Sequence, residues 1–359
     1  LIQNNVIDHV SIGIQFLPHR EPTGLTAQYN DIKAYSIGLY NNNQYAGSGP
    51  HKWIANTVGV AENPCGTAEM GVYLPYTTDV TFRGIHVINH GLYGGTGEPP
   101  LAEFYNNILD GTYDPATTVG MASTTAVRIS SANPDSNEGP SVPGTKTIVH
   151  NNAFDNFDTY INNTTTVNID PNLLDASGNW WGTTDAAALF AGVTAGSDYT
   201  PWLASGTDND ADVAGFQGDF STLYVDDDSF QVGAVGRIQE AIDLVSGSTI
   251  YVLPGTYQEA VVVDKAVNLY GPNMDVNPNG TVNRGPEAII LGSTTAPAMS
   301  TLFELDAENV VVKGFTFDNV RINNYIDGGA TGTLTNQFGG VDISNNIFTN
   351  VSGTAVYLR

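Results

Sequence analysis

The sequence predicts an all-β solenoid, a stack of short strands rather than a layered α/β or helical domain. Three observations carry that expectation. A short phrase recurs as Asn4-Asn5-Val6-Ile7-Asp8, Asn106-Asn107-Ile108-Leu109-Asp110, Asn151-Asn152-Ala153-Phe154-Asp155 and Asn345-Asn346-Ile347-Phe348-Thr349, with a looser copy at Asn30-Asp31-Ile32. Around it apolar residues alternate at period two, as in Val10, Ile12, Ile14 and Phe16, the spacing of a strand. Thirty-nine Gly and 18 Pro place turns at close intervals.

The intervals between phrases suit a repeat unit. Asn5 to Asp31 spans 26 positions and Asn107 to Asn152 spans 45, close to one and two coils of roughly 20–25 residues. In such a stack the asparagine amides of successive coils hydrogen-bond to one another as a ladder. Residues 1–205 are expected to be one β-solenoid segment. It ends in Gly178-Asn179-Trp180-Trp181-Gly182 and Tyr199-Thr200-Pro201-Trp202-Leu203, where aromatic bulk plugs an open end.

Residues 206–236 are polar and acidic and read as a linker. After it, Ile238, Ala241, Ile242 and Val245 fall at i, i+3, i+4 and i+7, an amphipathic helix stopped by Gly247. Short strands follow at Thr249 to Val252, Val261 to Val263, Val267 to Tyr270, and Val310 to Phe317. Residues 237–359 are therefore expected to open a second solenoid beneath a short capping helix.

The run from Ile238 to Gly271, with Ile-Gln-Glu-Ala-Ile-Asp leading into Thr-Ile-Tyr-Val-Leu-Pro-Gly-Thr-Tyr, resembles the opening of right-handed parallel β-helix proteins of the pectin-lyase-like superfamily. Gly178 to Gly182 followed by Tyr199 to Trp202 resembles the closing segment of such helices in large bacterial surface proteins. The resemblance implies a right-handed parallel β-helix in two segments. It also implies an extracellular or cell-surface setting. Gly314-Phe315-Thr316-Phe317 matches a strand of the pectinesterases, but Asn336-Gln337-Phe338-Gly339-Gly340 carries no acid after the Gln. The shared opening thus comes without their active site.

Each chemical constellation has a competing structural reading. Asp8, Asp110 and Asp155 recur at one repeat position. Asp110 and Asp155 are expected two coils apart, roughly 10 Å at ~4.8 Å per strand, which suits turn formers better than a catalytic pair. His86 and His90 lie in a strand pattern that spaces them some ~13 Å apart, too far for one metal. Cys65 has no nearby His and reads as a loop residue. Asp208, Asp210, Asp212 and Asp219 fall at positions 1, 3, 5 and 12 of an EF-hand-like loop, a setting that suits Ca²⁺. Val213 stands where that loop requires Gly. Trp180, Trp181 and Trp202 could stack on glycans but suit an apolar plug better.

Thirty-seven acidic against 12 basic residues give a net charge of −25, which excludes nucleic acid as a partner. Apolar runs such as Val310 to Val312 fall far short of the ~18 residues of a membrane span. A single cysteine forms no internal disulfide. Chain ends at Leu1 and Arg359 sit inside strand patterns, so the chain reads as a mature fragment or one unit of something longer. Ile2, Val6, Ile7, Val356 and Leu358 are then the expected assembly interface, head to tail. The expectation is a non-catalytic structural or interaction module, with no catalytic or cofactor-binding residue. The alternatives are a polysaccharide lyase or hydrolase and a glycan-binding module.

Overall fold

The computed structural model describes residues 1–16, 24–41, 50–62, 80–89, 101–114, 116, 118, 121–131, 146–164, 174–194, 197–233, 235–292, 302–324 and 339–358. They are all-β and built of parallel sheets, with short helices at Ala186–Ala191 and Arg237–Leu244. Contacts divide the chain into two compact units, Leu1–Tyr199 with Ser205–Asp219, and Thr200–Ala204 with Phe220–Arg359.

In the first unit one sheet runs Ile2–Gln3, Thr26–Gln28, His51–Ile54, Leu101–Tyr105, Lys146–His150 and Leu174–Asp175, each parallel to the last. The second sheet centres on the 11-residue strand Asp31–Asn41. Its first half is continued by Thr57–Val60, Ile108–Asp110 and Ala153–Asp155. Its second half is continued by Val80–Asn89, Met121–Ser131 and Thr159–Asn163. Val6–Phe16 lies on its other side.

These long strands bend inward at a column of small residues. Gly13, Gly38 and Gly84 take neighbouring positions, and a Cβ on Gly38 would lie 2.3 Å from Val58 Cγ1 and 2.9 Å from the Gly84 carbonyl. A residue without a side chain is what lets the strand come this close. Inside, aromatic rings stack along the sheet direction. Trp53 lies 4.5 Å from both Phe16 and Phe104, and Phe154 lies 4.8 Å from Trp181. Trp181, Leu189 and Tyr199 are buried over the last strands, to which Trp180, Val193 and Asp198 form isolated parallel bridges. Trp181 is thus core rather than a sugar platform.

In the second unit each strand from Thr249–Val252 onward pairs with the one three places on. The sheets are Thr222–Val225, Thr249–Val252, Asn268–Tyr270, Val311–Lys313, Asp342–Ser344; then Gly255–Tyr257, Ala288–Leu291, Phe315–Asp318, Ile347–Thr349; then Val261–Val263, Leu302–Leu305, Arg321–Asn323, Val356–Tyr357. Trp202–Leu203 joins the first of these antiparallel. Alternation buries Leu223, Ile250, Leu269 and Val312, while Trp202, Tyr224, Tyr251 and Tyr270 stack at 5.4–5.7 Å on the other face. Within this row the rings of Tyr224 and Tyr251 each meet a neighbour on both sides.

The helix Arg237–Leu244 buries Ile238, Ala241 and Ile242 as its period requires. Gly236 gives it no side-chain cap, and Glu259 supplies one instead, accepting from Ile238 N and Gln239 N at 3.1 Å each. The stretch 206–236, expected as a linker, carries structure of its own. Its first part groups with the first unit, and Thr222–Val225 is a strand of the second.

Candidate functional site

A file of asparagines runs through the first unit. Each Nδ2 donates to the Oδ1 of the next, from Asn5 to Asn30, Asn56, Asn107, Asn152 and Asn179, at 2.9–3.0 Å. The backbone N–H of each donates to the same Oδ1 at 2.9–3.1 Å. Each preceding residue turns the corner with positive φ: Asn4, Tyr29, Ala55, Asn106, Asn151 and Gly178. The residue after each asparagine donates its N–H back to the previous asparagine carbonyl at 2.9 Å, as for Asp31, Thr57, Ile108, Ala153 and Trp180. The repeat phrase marked four of the six members; Asn56 and Asn179 stand outside it.

Asn5 ends the file. Its Oδ1 accepts no hydrogen bond among the described residues, although every other Oδ1 in the file accepts two. In the second unit Asn346 occupies the matching place, its Oδ1 accepting from Phe315 N at 2.9 Å and its Nδ2 donating to the Val312 carbonyl at 2.8 Å. The turns around these two asparagines coincide. Asn4 and Asn345 both have φ 57°, and His9 and Asn350, five residues further on, have φ 54° and 55°.

The residues expected at an assembly interface lie on unpaired edges. Among the described residues Ile2–Gln3 and Val6–Phe16 pair on one side only, as do Asp342–Ser344, Ile347–Thr349 and Val356–Tyr357. Val6 is 80% exposed, with Leu1, Ile2 and Leu358 also exposed, while Ile7 and Val356 are half-buried. Beside the first edge opens a cleft of about 450 Å³, lined by Val6, Asp8, His9, Lys33, Glu62 and Asp114 among others. The Asp8 carboxylate meets His9 Nδ1 there at 2.9 Å.

The structure corrects the reading of the repeated carboxylates. Asp110 and Asp155 are direct partners on adjacent strands, not two coils apart, because one coil here spans 45 residues. Asp110 accepts from Asn156 Nδ2 at 3.0 Å and Thr112 N at 2.9 Å, and Asp155 from Trp180 Nε1 at 2.9 Å. Burial opposes ionisation of Asp110, but those hydrogen bonds, with Lys33 nearby, hold its carboxyl below the ordinary aspartate range. A carboxylate held ionised is unsuited to the general-acid role of a glycosidase pair.

The four acids of the EF-hand-like spacing are not gathered around a point. Asp208 Oδ1 accepts from Asp210 N at 3.2 Å and Gln217 N at 3.1 Å, closing an antiparallel turn with Gly218. Asp210 and Asp212 face solvent, and among the described residues no three His, Cys, Asp or Glu side chains are grouped to hold a metal. The loop instead lies against the corners of the asparagine file. Phe216 N donates to the Asn106 carbonyl at 2.7 Å, and Gly218 N to Asn151 Oδ1 at 2.9 Å. Gly215, at φ 86°, sits where a Cβ would be 2.5 Å from that of Ala55.

His86 packs against Tyr40 with centroids 5.1 Å apart, and its Nε2 is 2.8 Å from Ser130 Oγ. Burial, then the charges of Arg83 and Arg128, push its pKa down to about 3. His90, Cys65 and Gln337 lie outside the described residues. No family model, curated protein or solved structure matches the chain.

Proposed function

We propose that the chain is a right-handed parallel β-helical module of the pectin-lyase-like kind, with a structural role in an extracellular or cell-surface fibre that it extends head to tail. Return of the chain to the same sheet at every third strand from Thr249–Val252 onward supports the β-helical reading. One observation carries the assembly: the two unpaired edges carry left-handed corners at matching positions, Asn4 and His9 around Asn5 and Asn345 and Asn350 around Asn346. A second copy docked there sets Ile2–Gln3 on Asp342–Ser344 and Val6–Ile7 on Ile347–Phe348. Asn346 N and Nδ2 then donate to Asn5 Oδ1, and Val6 N donates to the Asn346 carbonyl. The same geometry serves a covalent tandem array and a polymerising subunit, since neighbours are related by one repeated translation and rotation. Burying Val6, Ile7 and Phe348 adds ~25 cal/mol per Å² of apolar area.

Val6→Pro is the test, because it removes the N–H that Val6 would donate across the junction while proline is tolerated at an edge position. Concentrated wild-type protein is expected to form fibres visible by electron microscopy and sedimentation. Val6→Pro is expected to stay monomeric with unchanged circular dichroism and melting temperature. A wild type that remains monomeric at millimolar concentration, or a Val6→Pro variant that polymerises like it, overturns the reading.

A further inference from the structure

Two of the twelve Lys and Arg residues share one patch of the first unit with no acidic partner among the described residues. Tyr40, His86 and Arg128 are register partners across Asp31–Asn41, Val80–Asn89 and Met121–Ser131. Arg83 precedes His86 by three residues, across the bend at Gly84; Phe82 and Ile85 on either side of it both point into the core. Arg83 and Arg128 are half-buried, and burial lowers the proton affinity of each; the charge of Arg128 lowers that of Arg83 further. Neither guanidinium has an ion pair or hydrogen bond among the described residues. Arg83 Nε and His86 Nδ1 are fully buried polar atoms without a partner.

Leaving two like charges half-desolvated and unpaired costs stability, and an orphaned buried donor costs more. We propose that the patch binds a small oxyanion, of the sulfate or carboxylate type, between the guanidiniums of Arg83 and Arg128 beside the His86 imidazole. Planar guanidinium forks match an oxyanion with two parallel hydrogen bonds, and Arg83 Nε–H is a donor left without a partner among the described residues. The Tyr40 ring fixes the imidazole, and Ser130 engages Nε2, so Nδ1 is the ring atom left to face the ligand. The net charge of −25 repels polyanions at long range, which favours a small ion over a charged polymer.

Titration with sodium sulfate, and separately sodium acetate, against sodium chloride at matched ionic strength tests this. Sulfate or acetate is expected to shift the Arg83 Nε–H resonance and raise the melting temperature, with chloride doing neither. Arg83→Gln and Arg128→Gln are each expected to weaken that response about tenfold, and Arg128→Lys to restore part of it. In chloride alone Arg128→Gln is expected to melt at or above the wild-type temperature, because it relieves repulsion. An equal response to chloride, undiminished binding by Arg128→Gln, or a lower melting temperature of that variant in chloride would overturn the proposal.

Discussion

The asparagine file shows how one side chain sets a corner. Asn56 Oδ1 accepts from Asn30 N and Nδ2, while its Nδ2 donates to the Ala27 carbonyl and Asn107 Oδ1. Asn56→Ala leaves these buried groups unmet and is expected to cost about 3 kcal/mol in urea unfolding. The file was legible where Asn-Asn pairs repeat. Asn56 escaped because the corner residue before it is Ala55, and Tyr29 likewise holds φ 57°, a conformation those residue types do not advertise. His86 adds a pH dependence that no pattern foretold, since burial among Tyr40, Ser130, Arg83 and Arg128 is a tertiary property. Its folded pKa lies near 3 against an ordinary 6.5. Between those values the unfolded state holds the extra proton, so stability rises with pH and is lost as pH falls from 6.5 toward 3. His86→Gln is expected to flatten that part of the stability–pH curve, and the wild-type imidazole to stay neutral in nuclear magnetic resonance titrations to pH 4. A His86 midpoint near 6.5 would remove the argument.

Strands and helices here differ in how openly they announce themselves. Alternation marked the strands, and the i, i+3, i+4, i+7 spacing marked Arg237–Leu244, because each pattern mirrors which side chains meet the core. The cap of that helix was not legible, for Glu259 arrives from 20 or so residues downstream. Ala186–Ala191 escaped because its sequence, Ala-Ala-Ala-Leu-Phe-Ala, has no polar face to set a period; only Asp185, accepting from Ala187 N, signals its start. The glycine column is a packing requirement that alternation hides. In Gly38→Ala the new methyl meets Val58 Cγ1 and the Gly84 carbonyl, and the strand must move outward. That is expected to cost about 1–3 kcal/mol, read as a lower denaturation midpoint. Ala substituted at Gly59, where nothing lies within 4 Å of the added Cβ, is the control and should be near neutral.

At the scale of the whole molecule, charge and edge act in opposition. A net charge of −25 makes any two copies repel, whereas the proposed junction of Asn346 with Asn5 would consist of neutral hydrogen bonds and apolar burial, which salt hardly touches. Repulsion between surfaces is screened over about 30 Å at 0.01 M salt and about 8 Å at 0.15 M. Raising sodium chloride across that range is therefore expected to shorten the lag before fibres appear and to lower the critical concentration, while leaving the strand content unchanged by circular dichroism. The cleft beside the first edge sharpens the expectation, because Asp8, Asp31, Glu62 and Asp114 line it with acid where the proposed next copy would approach, with Lys33 as the opposing charge in that lining. Asp114→Asn should shorten the lag at 0.01 M salt and have little effect at 0.15 M, which light scattering resolves directly. If added salt instead lengthens the lag or dissolves fibres, attraction between opposite charges holds the junction, and the asparagine file is not what joins one copy to the next.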